Sequence, residues 1–337
     1  MAKFLITGHT GFKGSWLTLL LKAGGHEVSG YSDKALSDTL FARARISRDM
    51  EHDLRGDVRN LGELKTAFQT VRPDFVIHLA AQSLVREGYR LPVETYETNF
   101  LGTLNVLQAS AQTPSIRSQL IVTSDKVYAS RPHPGGYQES DPLGGNDPYS
   151  SSKAATDVLA QEWLKSGRTK PGAIVRAGNV VGAGDVSRDR LLPDIVRACK
   201  TGSEVRIRYP NASRPWQHVL DCLNAYVLLV ERMDLGLVPE NEVWNIGPRD
   251  ANTVRVSEVI RLVTLHLRST APNFVFEDSE LHEDGDLHLN TSKSSSLLGA
   301  PQHWSLNEAV LDSVAEVLAP GRWGARAHML EQISRLS

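Results

Sequence analysis

A chain of 337 residues is long enough for one large α/β domain and a smaller one, each with its own hydrophobic core. Its 41% hydrophobic and 23% charged residues are close to the averages of globular proteins, which excludes a disordered or fibrous chain. Its formal net charge of -2 gives no reason to expect a nucleic acid or a membrane as partner, because both attract a clustered positive excess.

The cysteine content and the most apolar early segment narrow the cellular setting. Cys199 and Cys222 are too few for a disulfide framework, and the first residues do not resemble a secretory signal. The run from Trp16 to Leu21 is far shorter than a membrane span. We therefore expect a soluble cytoplasmic protein with reduced thiols, without a metal site and without a membrane or nucleic-acid partner.

Short β-rich runs alternate with longer amphipathic stretches over roughly the first 130 residues. Strands are predicted at 3–7, 27–31, 75–79 and 119–123, and apolar residues recur at helical spacing over 17–21 and 101–109. This alternation is typical of βαβ units, which form a parallel sheet. The predicted fold class is therefore a doubly wound α/β architecture.

The pattern changes beyond this region. Residues 131–147 are rich in Gly, Pro and Asp and lack an apolar period, which predicts a loop before a helix that starts near Pro148. Further on, the spacing predicts helices over 188–200 and 216–233 and a strand over 204–208. The looser order of these elements indicates a second, smaller domain that is interleaved with the first.

Three glycines follow directly on the first predicted strand and open a helical run. Gly8, Gly11 and Gly14 have the spacing G-x-x-G-x-x-G. Backbone amides at a helix N-terminus can bind a pyrophosphate only if the chain approaches it closely, and side chains at these positions would prevent that approach. Three glycines can also form an ordinary strand-to-helix turn, but the flanking strand and helix favour a dinucleotide site.

The identity of the dinucleotide depends on residues after the second predicted strand. Asp33 could accept a hydrogen bond from a ribose hydroxyl, which favours NAD. Ser32 and Lys34 would suit a 2′-phosphate, so NADP stays open as the less favoured cofactor. Asp57 could bind the adenine amino group or cap a helix, and the residue type does not separate these roles.

A tyrosine and a lysine four residues apart would share one face of the helix that starts near Pro148. Tyr149 and Lys153 form this Y-x-x-x-K pair. A phenolate near neutral pH requires roughly 4 kcal/mol of preferential stabilisation, which Lys153 and an oxidised nicotinamide could supply. Such pairs also occur on solvated helix faces. Together with the glycine turn and Ser124 at a strand end, however, the pair predicts a redox site.

An ionisable pair follows Ser124 directly. Asp125 and Lys126 would lie at the carboxyl edge of a parallel sheet, where ligands bind in open α/β folds. A simple dehydrogenase needs only the Ser, Tyr and Lys, so an additional acid and base indicate a proton transfer beyond hydride transfer. The alternative is a turn that carries two exposed charges.

These residues resemble the extended short-chain dehydrogenase/reductase superfamily and, within it, the CDP-glucose 4,6-dehydratases. The resemblance runs from Gly8 to about Gly247. Its motifs are GHTGFKGSWL (8–17), HLAAQSLVR (78–86), TSDKVY (123–128), DPLGGNDPYSSSK (141–153), RAGNVVGAGD (176–185), DRLLPDI (189–195) and RPWQHVL (214–220). The dTDP-glucose dehydratases have Thr-Asp-Glu where this chain has Ser-Asp-Lys, and the epimerases lack the acid–base pair.

The resemblance implies a three-stage reaction on one tightly held NAD: oxidation of the sugar at C4, elimination of water across C5 and C6, and return of the hydride to C6. It implies that Tyr149 takes the C4 hydroxyl proton and that Lys153 lowers the pKa of Tyr149 and binds the nicotinamide ribose. It makes Ser124 the residue that orients the C4 hydroxyl and Asp125 the acid for the departing C6 hydroxyl. Lys126 occupies the position where related dehydratases have a glutamate that abstracts the C5 proton. A lysine can accept this proton only if a fraction of its side chains is neutral, which requires a lowered pKa.

The resemblance also implies the ligand contacts. Those to the cofactor are made by Gly8, Thr10, Gly11, Phe12, Lys13, Gly14, Asp33, Asp57, Val58, Leu79, Ala80, Ala81, Asn99, Tyr149 and Lys153. Those to the nucleotide-sugar are made by Gln82, Arg86, Asn179, Arg190, Arg208, Arg214 and His218. Arginine suits phosphate oxygens because its planar fork donates to two of them at once. Arg214 could instead form a surface salt bridge.

The resemblance further implies a division into two interleaved domains. Residues 1–178 and about 215–246 would form a Rossmann domain that binds NAD, and residues about 179–214 and 247–337 would bind the nucleotide-sugar. A homodimer or a tetramer is expected. The chain departs from the family after Gly247, since Pro320-Gly321-Arg322-Trp323 replaces the usual helix with Trp and Tyr. The choice of cytosine as the base rests on the resemblance alone.

Two other functions are compatible with parts of this pattern. A 4-epimerase or 4-reductase would use Ser124, Tyr149 and Lys153 without elimination, and the pair Asp125-Lys126 argues against it. A nucleotide-sensing protein of the same fold would not need the Y-x-x-x-K pair, and both of its residues are present.

Overall fold

A computed structural model of the chain describes residues 1–33, 37–131, 133–249, 253–277 and 286–336. The strands are β1 (Lys3–Thr7), β2 (Glu27–Ser32), β3 (His52–Arg55), β4 (Phe75–His78), β5 (Ser118–Val122), β6 (Gly172–Ala177), β7 (Val180–Val181), β8 (Val205–Ile207), β9 (Ser213–Arg214), β10 (Gln217–His218), β11 (Glu242–Ile246), β12 (Val254–Arg255) and β13 (Phe274–Phe276).

The α-helices are α1 (Phe12–Ala23), α2 (Leu40–Arg43), α3 (Leu61–Val71), α4 (Val85–Arg90), α5 (Pro92–Tyr96), α6 (Gly102–Ala111), α7 (Pro148–Lys165), α8 (Leu191–Thr201), α9 (Val219–Asp234), α10 (Val256–Leu267), α11 (Ser292–Leu298), α12 (Leu306–Ser313), α13 (Ala315–Leu318) and α14 (Ala325–Ser334). Short 3-10 turns occupy Ile46–Asp49, Asp125–Val127 and Arg268–Thr270, and a π-helical turn occupies Glu97–Leu101. No helix in the described ranges combines the length and the apolar character needed to cross a membrane.

A seven-stranded parallel sheet forms the centre of the molecule, in the order β11-β6-β5-β4-β1-β2-β3. β1 pairs with both β2 and β4, so the chain moves outward from β1 in two directions. In such doubly wound sheets, ligands bind beyond the carboxyl ends of the strands, at the point where the strand order reverses. The predicted fold class is confirmed: the chain has a Rossmann-type α/β fold.

Alternate residues of β1 show how both faces of this sheet are covered. Phe4 and Ile6 belong to a core cluster that contains Trp16 of α1, whereas Leu5 belongs to a second cluster that contains Leu64 of α3. Successive side chains of a strand point to opposite faces. Helices therefore cover the sheet on both sides, and the strand ends are left as the place where polar groups can collect.

The four strands predicted from the sequence are present, each to within one residue at either end. Three strands of the sheet, β3, β6 and β11, were not predicted. β3 is a polar edge strand with the sequence HDLR, and β6 contains a fully buried Arg176, so neither has the apolar pattern of an interior strand. The helix predicted near Pro148 starts at that residue, and the strand predicted over 204–208 is β8.

A smaller region follows β6 and is built on short two-stranded ladders, β7 with β10, β8 with β13 and β9 with β12. It has its own core cluster, which includes Ile195 of α8, Val205 of β8, Val263 of α10 and Val310 of α12. The helix predicted over 188–200 begins only at α8. The helix predicted over 216–233 begins at Val219, because the two residues before it form β10.

Candidate active site

A cavity of about 710 Å³ lies at the carboxyl ends of β1, β2, β4, β5 and β6 and extends to the smaller region around α8 and β8. Its size is within the range of ligand pockets, roughly 300–1,000 Å³. All residues that the sequence predicts to act in catalysis or to bind a ligand line this cavity, except Asn99 and His218. One cavity thus brings together the predicted cofactor, catalytic and substrate residues.

The turn between β1 and α1 uses its three glycines in different ways. Gly8 has a φ of +78°, and a Cβ there would lie 2.7 Å from the backbone nitrogen of Ala80. A Cβ on Gly14 would lie 2.4 Å from the carbonyl oxygen of Gly8. These two glycines are therefore required by the fold itself.

Gly11 differs from its neighbours. A Cβ there would lie 3.4 Å from the carbonyl oxygen of Gly8, an ordinary contact within the described part of the chain, so the fold does not exclude a side chain. Gly11 is also the N-cap of α1 and supplies no side chain to the first amides of that helix. Such amides are suited to an anion that approaches closely. The turn therefore fits the pyrophosphate of a dinucleotide.

The residues predicted to contact the adenosine ribose lie at the carboxyl end of β2. Thr10 Oγ1 and Ser32 Oγ are 2.8 Å apart and share a hydrogen bond. Asp33 is exposed at the rim of the cavity, where a carboxylate favours a ribose hydroxyl over a 2′-phosphate. Lys34, the other candidate partner for a 2′-phosphate, lies outside the described residues.

Asp57 is not a helix cap. The N-cap of α3 is Asn60, whose side chain accepts a hydrogen bond from the backbone of Glu63. The Asp57 carboxylate lines the cavity and accepts hydrogen bonds from Arg59, with Nη2 at 2.6 Å from Oδ2 and the backbone nitrogen at 2.8 Å from Oδ1. These bonds hold the pKa of Asp57 below its usual value, so the cavity is lined by an ionised carboxylate there.

Tyr149 and Lys153 lie in the first two turns of α7, as the Y-x-x-x-K spacing predicts. The start of α7 is fixed by Asp147, whose carboxylate accepts a hydrogen bond from the Ser150 backbone at 2.9 Å. Tyr149 is 8% exposed and Lys153 is 4% exposed, which excludes a solvated helix face. Lys153 Nζ donates to the carbonyl oxygen of Val122 at 3.1 Å, and this bond ties α7 to the end of β5.

Burial alters the acid–base properties of both residues. It lowers the pKa of Lys153 to about 8, and the charge of Lys13 acts in the same direction. It raises the pKa of Tyr149, against the effects of a hydrogen bond with Ser124 and the charge of Arg190. The protein alone therefore favours the phenol, so a base role for Tyr149 requires further positive charge in the cavity.

Asp125 and Lys126 occupy the 3-10 turn that follows Ser124. Asp125 is 3% exposed, its Oδ1 accepts from Ser124 Oγ at 3.1 Å, and its Oδ2 is buried without a hydrogen-bond partner among the residues described. Burial raises the pKa of Asp125, while the charges of Lys126 and Arg214 oppose the shift. A turn with two exposed charges is therefore excluded. A buried carboxyl with a raised pKa and an unpartnered oxygen is suited to carry a proton.

A buried ion pair that the sequence analysis missed supports this edge of the sheet. Asp157 of α7 and Arg176 of β6 form two hydrogen bonds, Oδ1 to Nη2 at 2.7 Å and Oδ2 to Nε at 2.9 Å. Asp157 Oδ2 also accepts from Thr123 Oγ1 at 2.9 Å. The pair connects β5, α7 and β6 next to Ser124. Its signal in the sequence is an arginine inside an otherwise apolar run, with an acidic residue one helical turn after Lys153.

Arginines line the opposite side of the cavity, and three of them lie near aspartates. Arg86 Nη1 is 3.3 Å and Arg208 Nη2 is 3.8 Å from the same oxygen, Oδ1 of Asp189. Arg190 Nη1 is 3.7 Å from Oδ2 of Asp185. At these distances the guanidinium groups retain donors for another anion.

The remaining predicted substrate residues lie between these arginines and the sheet. Arg214 is buried, and its Nη1 donates to the carbonyl oxygen of Ser213 at 2.9 Å, so its guanidinium group does not lie on the surface. Asn179 lines the cavity at the end of β6. Gln82 also lines it, with its amide nitrogen already donating to Thr95 Oγ1 at 2.9 Å.

Two comparisons with known proteins identify the family of this chain. The model of the NAD dependent epimerase/dehydratase family matches residues 4–247. A CDP-glucose 4,6-dehydratase from Salmonella typhimurium is 38% identical over 318 residues, which cover 91% of this chain and 88% of that protein. The chain belongs to the NAD dependent epimerase/dehydratase family.

Solved structures share the fold of this NAD dependent epimerase/dehydratase family member at low sequence identity. The dTDP-glucose 4,6-dehydratase from Bacillus anthracis in complex with NAD has a TM-score of 0.80 and 22% identity, and the match covers 96% of this chain and 98% of that one. The UDP-glucose-4-epimerase from Stenotrophomonas maltophila, with bound NAD and formylated UDP-arabinopyranose, has a TM-score of 0.82 and 21% identity over 96% and 99% of the two chains.

Asn99, predicted to contact the cofactor, does not line the cavity of this epimerase/dehydratase family member. Its Oδ1 accepts from the Gln82 backbone at 2.9 Å, and its Nδ2 donates to the Gln82 carbonyl at 3.0 Å and to Ser152 Oγ at 2.9 Å. The side chain is completely buried. Both amide hydrogens are thus used within the protein, and Asn99 fastens the loop after β4 to α7 instead of binding a ligand.

His218, predicted to bind the substrate, also lies outside the cavity. Its Nδ1 accepts from the Leu220 backbone at 3.2 Å and so caps α9, and its Nε2 lies 3.1 Å from Asp312 Oδ2. Asp312 also accepts from the Ala183 backbone at 2.8 Å and contacts His328 Nε2 at 2.6 Å. His218 is therefore part of a buried junction around Asp312, and its role is structural.

Proposed function

We propose that this chain is an NAD-dependent nucleotide-sugar 4,6-dehydratase that converts CDP-D-glucose to CDP-4-keto-6-deoxy-D-glucose. The observation that carries the proposal is the buried Asp125, with its raised pKa and unpartnered oxygen, in the same cavity as Tyr149 and Lys153. An epimerase or a reductase needs the tyrosine and lysine but no additional acid. The identity with the Salmonella typhimurium relative supports CDP-glucose as the substrate.

The turn between β1 and α1 would hold the cofactor. The amides of the first turn of α1 would bind the pyrophosphate, residues 79–81 would line the nicotinamide side, and Asp33 would accept a ribose hydroxyl. When bound, NAD supplies the hydride acceptor for C4, the hydride donor for C6 and a positive ring beside Tyr149. That positive charge is what the raised pKa of Tyr149 requires if this residue is to act as a base.

The proton transfers are assigned to four side chains. Ser124 would orient the C4 hydroxyl, and Tyr149 would accept its proton while the hydride leaves C4. The resulting C4 ketone acidifies the C5 hydrogen, which Lys126 would accept as a proton. Asp125 would give its proton to the C6 hydroxyl, which leaves as water. A proton then returns to C5 as the hydride is delivered to C6.

The arginines on the opposite side of the cavity would bind the diphosphate of the substrate. Arg214 is buried near Asp125, and Arg190 and Arg208 line the path from the catalytic residues towards β8. A diphosphate can replace a carboxylate as the partner of an arginine, because both groups present paired oxygens to the N–H donors of the planar guanidinium group. Asn179 and Gln82 would complete this part of the site as neutral hydrogen-bonding groups.

We also propose a homodimer or a tetramer, located in the cytoplasm. Apolar side chains are exposed on α5, the π-helical turn and α7, namely Val93, Tyr96, Leu101 and Val158, and a second copy could cover them. Both cysteines, Cys199 and Cys222, are free thiols, which supports a reducing compartment.

NMR of the sugar tests the proposed reaction. Purified protein with NAD and CDP-glucose in deuterated water should convert the C6 hydroxymethyl group to a methyl group and introduce deuterium at C5. The loss of water and the exchange at C5 are both required, because an epimerase gives neither.

The same assay with other nucleotide sugars provides the control. Conversion of dTDP- or GDP-glucose while CDP-glucose returns unchanged would contradict the assignment of cytosine as the nucleobase. The proposed 4,6-dehydration would still stand. If none of these sugars reacts, the proposed activity is wrong.

A further inference from the structure

Lys13 places a positive charge where an α-helix does not favour one. It lies in the first turn of α1, where the helix dipole is positive, and this turn contains no acidic residue. A partly buried cation at this end of a helix raises the free energy of the folded chain unless a nearby group compensates for it. The charge therefore calls for a functional explanation.

Tyr226 fixes the direction of this side chain. Lys13 Nζ donates to Tyr226 Oη at 3.1 Å and lies 5.5 Å from the centre of the Tyr226 ring. Tyr226 is a completely buried residue of α9, and burial raises its pKa well above the usual value, so it accepts this bond as a neutral phenol. The ammonium group is thus directed against α9, on the face of the sheet that α1 and α9 cover together.

The ammonium group of Lys13 is also close to the catalytic residues. Lys13 lines the cavity that contains Tyr149, Lys153 and Asp125. Its charge lowers the pKa of both Lys153 and Asp125, although each shift is dominated by burial. The backbone of Lys13 therefore belongs to the turn between β1 and α1, whereas the charge of its side chain acts on the catalytic residues.

We propose that Lys13, held by Tyr226, tunes the redox balance of the bound cofactor towards its reduced form. This inference rests on the proposed function. Tyr149 takes a proton from the hydroxyl of the carbon that loses the hydride, so the nicotinamide ring must contact that same carbon. The oxidised ring carries a positive charge and the reduced ring does not, so a neighbouring ammonium group repels only the oxidised form.

This repulsion has a specific use in a 4,6-dehydration. The C4 hydroxyl is oxidised by hydride transfer to NAD, and the cofactor must then keep the hydride while Asp125 and Lys126 complete the elimination. A charge that stabilises the reduced cofactor relative to the oxidised one favours hydride transfer from C4. It also keeps the cofactor reduced during the elimination. Tyr226 is a positioning residue in this account, since it acts only through Lys13.

The test compares the affinities for the two cofactor forms without any sugar present. Dissociation constants for NAD and NADH are measured separately by calorimetry for the full chain and for Lys13→Met. The ratio of the NAD constant to the NADH constant should fall about tenfold in Lys13→Met, as expected for a like charge removed from about 12 Å at an effective dielectric constant of about 20. A tenfold change corresponds to about 30 mV for a two-electron couple.

Two further variants serve as controls. Lys13→Arg keeps the charge and should keep the ratio, and Tyr226→Phe releases the ammonium group and should lower the ratio by a smaller factor. An unchanged ratio in a folded Lys13→Met protein overturns the inference. An equal loss of affinity for both forms also overturns it, since that result assigns Lys13 to the pyrophosphate.

Failure of the proposed function gives a different result. If the ratio shifts as expected while the NMR assay shows no dehydration, the redox role of Lys13 stands and only the dehydratase proposal fails. If the full chain binds neither NAD nor NADH, both proposals fail together.

Discussion

The two sides of the cavity are built in different ways. On the sheet side, Ser124, Asp125, Tyr149 and Lys153 are buried at the end of β5 and in α7. On the arginine side, Arg86, Arg190 and Arg208 stand on short elements and loops, and they contact aspartates at 3.3 to 3.8 Å. The difference indicates that proton transfer relies on fixed positions, whereas substrate binding uses groups that can exchange one partner for another.

Loss of Tyr149 should show the largest effect. Tyr149→Phe keeps the ring but removes the group that exchanges a proton with the C4 hydroxyl, so kcat should fall by about 10³-fold. Turnover of CDP-glucose by NMR measures this change, and NAD affinity measured by calorimetry should stay the same. Full turnover by the variant would show that the sheet side does not perform the acid–base step assigned to it.

Removal of one partner from the buried ion pair should destabilise the sheet side. Arg176→Met leaves Asp157 buried without its charged partner, and the free energy of unfolding should decrease by about 3–5 kcal/mol. Denaturant unfolding provides the measurement. The matched control is Arg261→Met, which removes an exposed pair with Glu258 and should leave the free energy of unfolding nearly unchanged. Equal losses in the two variants would contradict the proposed rigidity of this side.

A substitution on the arginine side should have the smallest of these effects. Arg208→Met removes a donor for the diphosphate, so KM for CDP-glucose should rise about tenfold with little change in kcat. Lys200→Met serves as the control, because Lys200 pairs with Glu316 and does not line the cavity. A large decrease in kcat for Arg208→Met would show that the two sides are not separate in function.

The parts of the site that sequence could predict are those that depend on backbone position. Gly8 and Gly14 have steric requirements, and Ser124 follows a recognisable strand, so spacing alone locates them. His218 lies in an equally distinctive motif and Asn99 was assigned through the same family resemblance, yet both side chains turn into the protein. A motif indicates which residues are near a site, but not the direction in which each side chain points.

The fold shows a similar limit. The four predicted strands are present, whereas β6 was missed because its buried Arg176 interrupts the apolar pattern. That arginine is tolerated only because Asp157, from a different element, compensates its charge. The sequence shows both charged residues, but it does not show that they pair across two elements.

The junction at Asp312 has a consequence for protein engineering. One carboxylate joins the Ala183 backbone, beside the cavity, to His218 before α9 and to His328 in the last helix. A chimera that borrowed residues 179–214 from a relative, in order to accept another sugar, would keep all three side chains of this junction and replace only the residue that supplies the backbone amide. The borrowed segment should therefore have a non-proline residue at position 183, with its amide directed at Asp312.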